Sequence, residues 1–263
     1  MNRRSVLVRS AAGVMLSGAL LPAHARIAEL GDAIDKAGAQ RMLSQRMGKA
    51  WLSQLRPELT ERARAVLQAS EARFERQLGE LLSYAPTPEI AGSYRAMEHR
   101  FGAYRALLQS TPSPARVDDL LKASGEMLSL AQVATVQLQE RSTAATARLV
   151  NLSGRQRMLS QRLALFFLAN QQGARPDLVQ RETAKARADF VAAMGVLTTA
   201  AEATPAIRAN LELAQSQWIF LQAALAGESQ GPRAASDVFL ASENLLSVME
   251  TVTGQFARQL AQA

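Results

Sequence analysis

The chain has 263 residues, 48% of them hydrophobic, no cysteine and a formal net charge of +7. The absence of cysteine excludes disulfides, thiol catalysis and thiolate metal sites, so a core alone must hold the fold, and the length suffices for one. The three arginines among the first 25 residues, Arg3, Arg4 and Arg9, account for part of the charge and leave +4 without them, an excess too weak and dispersed for a nucleic-acid partner.

Residues 1–25 read as an export signal. Arg3-Arg4-Ser5-Val6-Leu7 has the twin-arginine form, Val6 to Leu21 is mostly apolar but short for a span, and Ala23-His24-Ala25 is a small-residue cleavage site. Cleavage before Arg26 predicts a periplasmic product. No later segment reaches the ~18 consecutive apolar residues of a membrane helix.

Beyond the leader, strong helix formers and helical periodicity run almost throughout, while β-branched and aromatic residues are sparse. A first helix over about 27–54 ends before Pro57, a second over about 58–84 before Pro86 and Pro88, and a third over about 89–110 before Pro112 and Pro114. From Val117 to Asn170 there is no proline or strong stop. This stretch permits one long central helix or a turn near Arg141 to Thr146 with Ser142 or Thr143 as N-cap. Further breaks at Gly173 to Pro176, Thr204-Pro205 and Gly227 to Pro232 precede a last helix over about 234–262.

The string Gly-x-Gln-Arg-Met-Leu-Ser-Gln-Arg occurs at Gly38 to Arg46 and again at Gly154 to Arg162. Its flanks repeat more loosely. Ile34-Asp35 aligns with Val150-Asn151, Arg56-Pro57 with Arg175-Pro176, Thr87-Pro88 with Thr204-Pro205, and Ala123-Ser124 with Ala241-Ser242. The fold expected is therefore all-α, two tandem antiparallel four-helix bundles, residues 26–140 and 141–263.

Core residues drift between copies of a duplicated unit, since apolar character and approximate size suffice. Retention of polar residues in diverged surroundings points to a site. At 100° per residue, Gly38, Arg41, Ser44 and Gln45 share one helix face with Ile34, Ala37 and Gly48, opposite Leu43, Met47 and Ala50. The second copy repeats this face with Gly154, Arg157, Ser160 and Gln161. These eight residues are the candidate ligand-binding set. Met42, Leu43, Arg46 and Met158, Leu159, Arg162 are assigned to scaffold, the two arginines as ion-pair or carbonyl-binding residues.

A guanidinium in a close helix contact needs an anion or a dense set of acceptors. If the two motif helices meet, Arg41 and Arg157 repel, and a small oxyanion between them relieves this while accepting bidentate hydrogen bonds. An internal carboxylate is the structural alternative. His99, between Glu98 and Arg100, reads as a surface residue, and Trp51, Trp218, Phe101, Phe166 and Phe167 as core. No catalytic set, metal-ligand spacing or cofactor motif is evident, so an enzyme is not expected.

The segments Asp35 to Arg46 and Asn151 to Arg162 resemble the signature of the PilJ-type domain, the N-terminal domain of type IV pilus methyl-accepting transducers. That domain is similar to the periplasmic sensor domain of the NarX and NarQ nitrate/nitrite sensor kinases. The resemblance implies a four-helix bundle with the motif on its first helix. It also implies that the arginine before the Met, here Arg41 and Arg157, binds nitrate or nitrite at a symmetric interface, with Gly38 and Gly154 permitting close approach. Its relatives are membrane-anchored, which implies a membrane sensor, transducer or transporter as partner, and a homodimer is compatible with the motif. A helical interaction protein of a pilus, chemosensory or envelope system, without ligand, is the second expectation.

Overall fold

Prolines open helices here as often as they end them. In the computed structural model, which describes residues 27–227 and 233–262, Thr87 and Thr204 each accept a hydrogen bond through the side-chain hydroxyl, from the backbone N–H of Ile90 and Ile207 respectively (3.3 Å in both). Pro88 and Pro205 occupy the first helical position, where a missing N–H costs nothing. The repeated Thr-Pro pair is thus one helix start used twice.

Eight α-helices result among the described residues: α1 (Leu30–Ser53), α2 (Thr60–Tyr84), α3 (Pro88–Leu108), α4 (Val117–Gln139), α5 (Ala145–Asn170), α6 (Pro176–Thr199), α7 (Pro205–Ala226) and α8 (Arg233–Ala261). The stretch from Val117 to Asn170 is not one helix. It turns between Gln139 and Ala145, and the cap residue is Ala144, not Ser142 or Thr143; the Ser142 hydroxyl instead accepts from the Ala144 N–H at 3.2 Å. The leader, its twin-arginine pair and the Ala23-His24-Ala25 site lie outside the described residues, as does most of the Gly227 to Pro232 break. Gly227, at φ 77°, closes α7 in the left-handed conformation that glycine adopts without strain. Among the described residues no helix is long and apolar enough to cross a membrane.

The outer helices are amphipathic. In α2 the buried positions include Ala63, Leu67, Ser70, Phe74, Gln77 and Leu81, and in α7 Ile207, Leu211, Ala214, Trp218 and Leu221, steps of three and four that make one inward stripe. A stacked aromatic pair locks each outer hairpin, Phe74 on Phe101 between α2 and α3 (centroids 4.3 Å apart) and Phe190 on Trp218 between α6 and α7 (4.0 Å).

The motif helices behave differently. Within each unit α1 packs on α2 and α4, and α5 on α6 and α8; the two units then join chiefly through α1 against α5. With neighbours on every side, α1 is buried all round from Ala37 to Ser53 except at Arg46, and α5 nearly so from Ser153 to Ala169. The two-faced division expected for these helices therefore gives way to four contact directions. Met42, Leu43, Met158 and Leu159 are in the core, as are Trp51, Trp218, Phe101 and Phe166, while Phe167 is half-buried and His99 exposed.

Candidate functional site

Within the α1–α5 contact Gly38 stands against Gly154. A Cβ placed on Gly38 would lie 3.8 Å from the Cα of Gly154, so two bare backbones cross there. The same Cβ position lies 3.2 Å from Nη2 of Arg41 and 3.3 Å from Nη2 of Arg157. From the equivalent position on Gly154 the two nitrogens stand 3.6 and 3.2 Å away. Both guanidinium groups thus converge on the glycine crossing, and both side chains are buried to 1% exposure or less.

The partners of the two arginines repeat in their backbone part. Arg41 Nη2 donates to the Asn151 carbonyl at 3.2 Å, and Arg157 Nη2 donates to the Asp35 carbonyl at 3.1 Å; Asp35 and Asn151 occupy the same position in the two copies. The side chains break the symmetry. Asp35 Oδ1 lies 2.7 Å from Arg157 Nη2, an ionic contact not aligned as a hydrogen bond. Arg41 has no carboxylate, and its Nη1 donates to Gln132 Oε1 on α4 at 2.7 Å. The Nε of each arginine is buried without a partner.

Two buried guanidinium groups therefore stand together, with one carboxylate in contact, that of Asp35 on Arg157. Burial first, then the charges of Arg157 and Arg155, lower Arg41 to about 9, which keeps it protonated at neutral pH. Like charges at close range in a buried site repel, and Arg157 lowers Arg41 in that sense. This repulsion makes the pair receptive to a further negative charge.

Ser44, Gln45, Ser160 and Gln161 are placed elsewhere. Ser44 Oγ donates to the Arg41 carbonyl and Ser160 Oγ to that of Arg157, each at 2.8 Å. Gln45 Nε2 donates to the Ser124 carbonyl on α4 (3.0 Å), and Gln161 Nε2 to the Ser242 carbonyl on α8 (2.9 Å). The two glutamines tie each motif helix to the last helix of its own unit, while the two serines bond within their own helices. Their retention follows from satisfying buried polar groups at two equivalent helix contacts.

Arg46 and Arg162 are ion-paired, but unequally. Arg46 grips Glu243 of α8 through Nε (3.0 Å) and Nη2 (2.5 Å), and the fully buried Lys49 reaches the same carboxylate at 2.6 Å. Burial pushes Glu243 upward, but Lys49 and Arg46 outweigh it and hold the carboxyl at about 2. Arg162 instead donates to Gln45 Oε1 and to Glu182, both at 2.8 Å. Asp35, Gln132 and Glu243 lie outside the repeated string. Only the Asp35/Asn151 difference at an aligned position signalled any of them in the sequence.

The class defined by these observations is an all-helical tandem repeat whose copies each deliver one buried arginine to a shared interface. The chain belongs to the PilJ family, the N-terminal region of type IV pili methyl-accepting chemotaxis transducers, whose family model matches residues 26–136 and again 139–241. It is a transducer-type sensor module. Searches of curated proteins and of solved structures find no match.

Proposed function

We propose that the chain is a periplasmic sensor module that binds a small oxyanion, such as nitrate or nitrite, between Arg41 and Arg157 and relays its occupancy to a separate membrane partner. The observation that carries this reading is the convergence of two buried guanidinium groups on a glycine crossing where a single carboxylate, Asp35, touches one of them, Arg157. The two units, residues 26–140 and 141–263, supply within one chain the paired arginines that the resemblance to nitrate sensors would otherwise require from a dimer. Gly38 and Gly154 carry no side chain of their own, which leaves the crossing to the two guanidinium groups.

Calorimetric titration of the processed protein with nitrate, nitrite, chloride and acetate tests the reading. Saturable binding that raises the melting temperature, and that Arg41→Gln plus Arg157→Gln removes, is expected. At a ligand concentration ~100-fold above Kd the stabilisation would be about 2.7 kcal/mol. Failure of the folded protein to bind any of these anions, or unchanged affinity in the double variant, overturns it.

A second reading rests on the Asp35–Arg157 contact. An internal carboxylate already at 2.7 Å makes the arginine centre a means of joining the two units in a ligand-free interaction protein of a pilus, chemosensory or envelope system. That reading expects the double glutamine substitution to lower stability or partner capture with no anion effect.

A further inference from the structure

Asp35 and Asn151 are the same position of a duplicated unit, and their backbones still act alike, each carbonyl accepting from the arginine of the other copy. Their side chains do not. Asp35 turns its carboxylate to Arg157, whereas Asn151 Nδ2 donates to Gln139 Oε1 on α4 and brings no charge to the pair. The two copies therefore differ by one negative charge at the arginine centre.

We propose that Asp35 sets the charge of the anion that the arginine pair accepts. With Asp35 in place, two guanidinium charges are offset by one carboxylate, so a monoanion completes neutrality and a dianion overshoots it. The inference rests on the anion-binding reading above and specifies the ligand class within it.

The Asp35 carboxylate also belongs to both the arginine centre and a surface cleft. It is a quarter exposed and lines a cleft of about 420 Å³ at the end of the bundle, between the start of α1 and the end of α8. Glu29, Asp32 and Asp35 line this cleft against the single cation Arg258. An anion approaching this way crosses a net negative mouth, which penalises a doubly charged ion about twice as much as a singly charged one.

The test compares nitrate with sulfate, by calorimetry, in the unaltered protein, in Asp35→Asn and in Asn151→Asp. Asp35→Asn is near-isosteric and copies the second repeat, and circular dichroism confirms that each variant is folded. The unaltered protein should prefer nitrate. Asp35→Asn should shift the sulfate-to-nitrate affinity ratio by ~10-fold or more towards sulfate, and Asn151→Asp, which completes neutrality internally, should weaken nitrate by a similar factor. Nitrate binding that depends on the arginines but keeps its sulfate ratio in Asp35→Asn overturns the role of Asp35 and leaves the site standing. Failure of all three folded proteins to bind either anion overturns both.

Discussion

The two flanks of the central α1–α5 pair descend from one pattern and are built differently. On the α8 side, Glu243 gathers Arg46 and Lys49, and Arg73 of α2 reaches Glu250 of α8 at 2.5 Å. On the α4 side, Gly125 stands at the position of Glu243 and Leu165 at that of Lys49, while Arg162 turns to Glu182 of its own unit. A groove of about 650 Å³ remains there, with apolar residues such as Leu128 and Phe166 and charged ones such as Asp118, Lys122, Arg162 and Glu182 in its lining. Duplication copied the helices, and a few charge substitutions then sealed one seam and left the other open.

Removing the carboxylate of the sealed seam should break the contrast most. Glu243→Gln leaves the buried Lys49 and the half-buried Arg46 without a counter-charge and should cost on the order of 3 kcal/mol in urea unfolding, against under about 1 kcal/mol for Glu182→Gln on the open side. Equal losses would show that the seams are energetically alike. Lys49→Leu combined with Glu243→Gln, which imitates the open seam, should cost less than Glu243→Gln alone, because the uncompensated buried cation goes with its partner.

Acid should act on the sealed seam in the same sense. The carboxyl of Glu243 sits at about 2, below its ordinary 4.5. Its stabilising contribution is complete above 4.5 and is lost as pH falls from 4.5 towards 2. Melting temperature should drop over that window, and more shallowly in Glu243→Gln.

The glycine crossing sharpens the comparison between the shared axis and the periphery. Gly38→Ala puts a methyl 3.2–3.3 Å from both arginine Nη2 atoms and 3.8 Å from the facing backbone, and should cost ~1–3 kcal/mol by overpacking. Gly79→Ala, on the outer helix α2 with nothing within 4 Å of the new methyl, should instead gain roughly 0.5–1 kcal/mol from helix propensity. Chemical denaturation of both variants checks the sign. A neutral Gly38→Ala would mean that the central helices can part without strain.

The helices, the duplication and the approximate breaks were legible in the sequence because they depend on local chemistry: periodicity, proline, and a repeated string with repeated flanks. Arg41, Arg157, Gly38 and Gly154 were legible as candidates for the same reason, being polar or small residues retained at helical spacing. Ser44 bonds the Arg41 backbone and Gln45 reaches α4, so neither joins Arg41 at the guanidinium centre. An angular projection assumes one packing partner, and α1 has several, so residues neighbouring on a helical wheel reach different helices.

The rest was decided by which helices meet. That α1 lies against α5, so that the arginines converge within one chain, depends on packing between units far apart in sequence, and no local signal encodes it. The placement of Asp35 and Gln132 on opposite arginines, and the sealing of one seam by Glu243, are likewise products of that assembly. Local propensity determined the parts and their repetition; the packing of two helices buried on every side against each other determined where their charges had to meet.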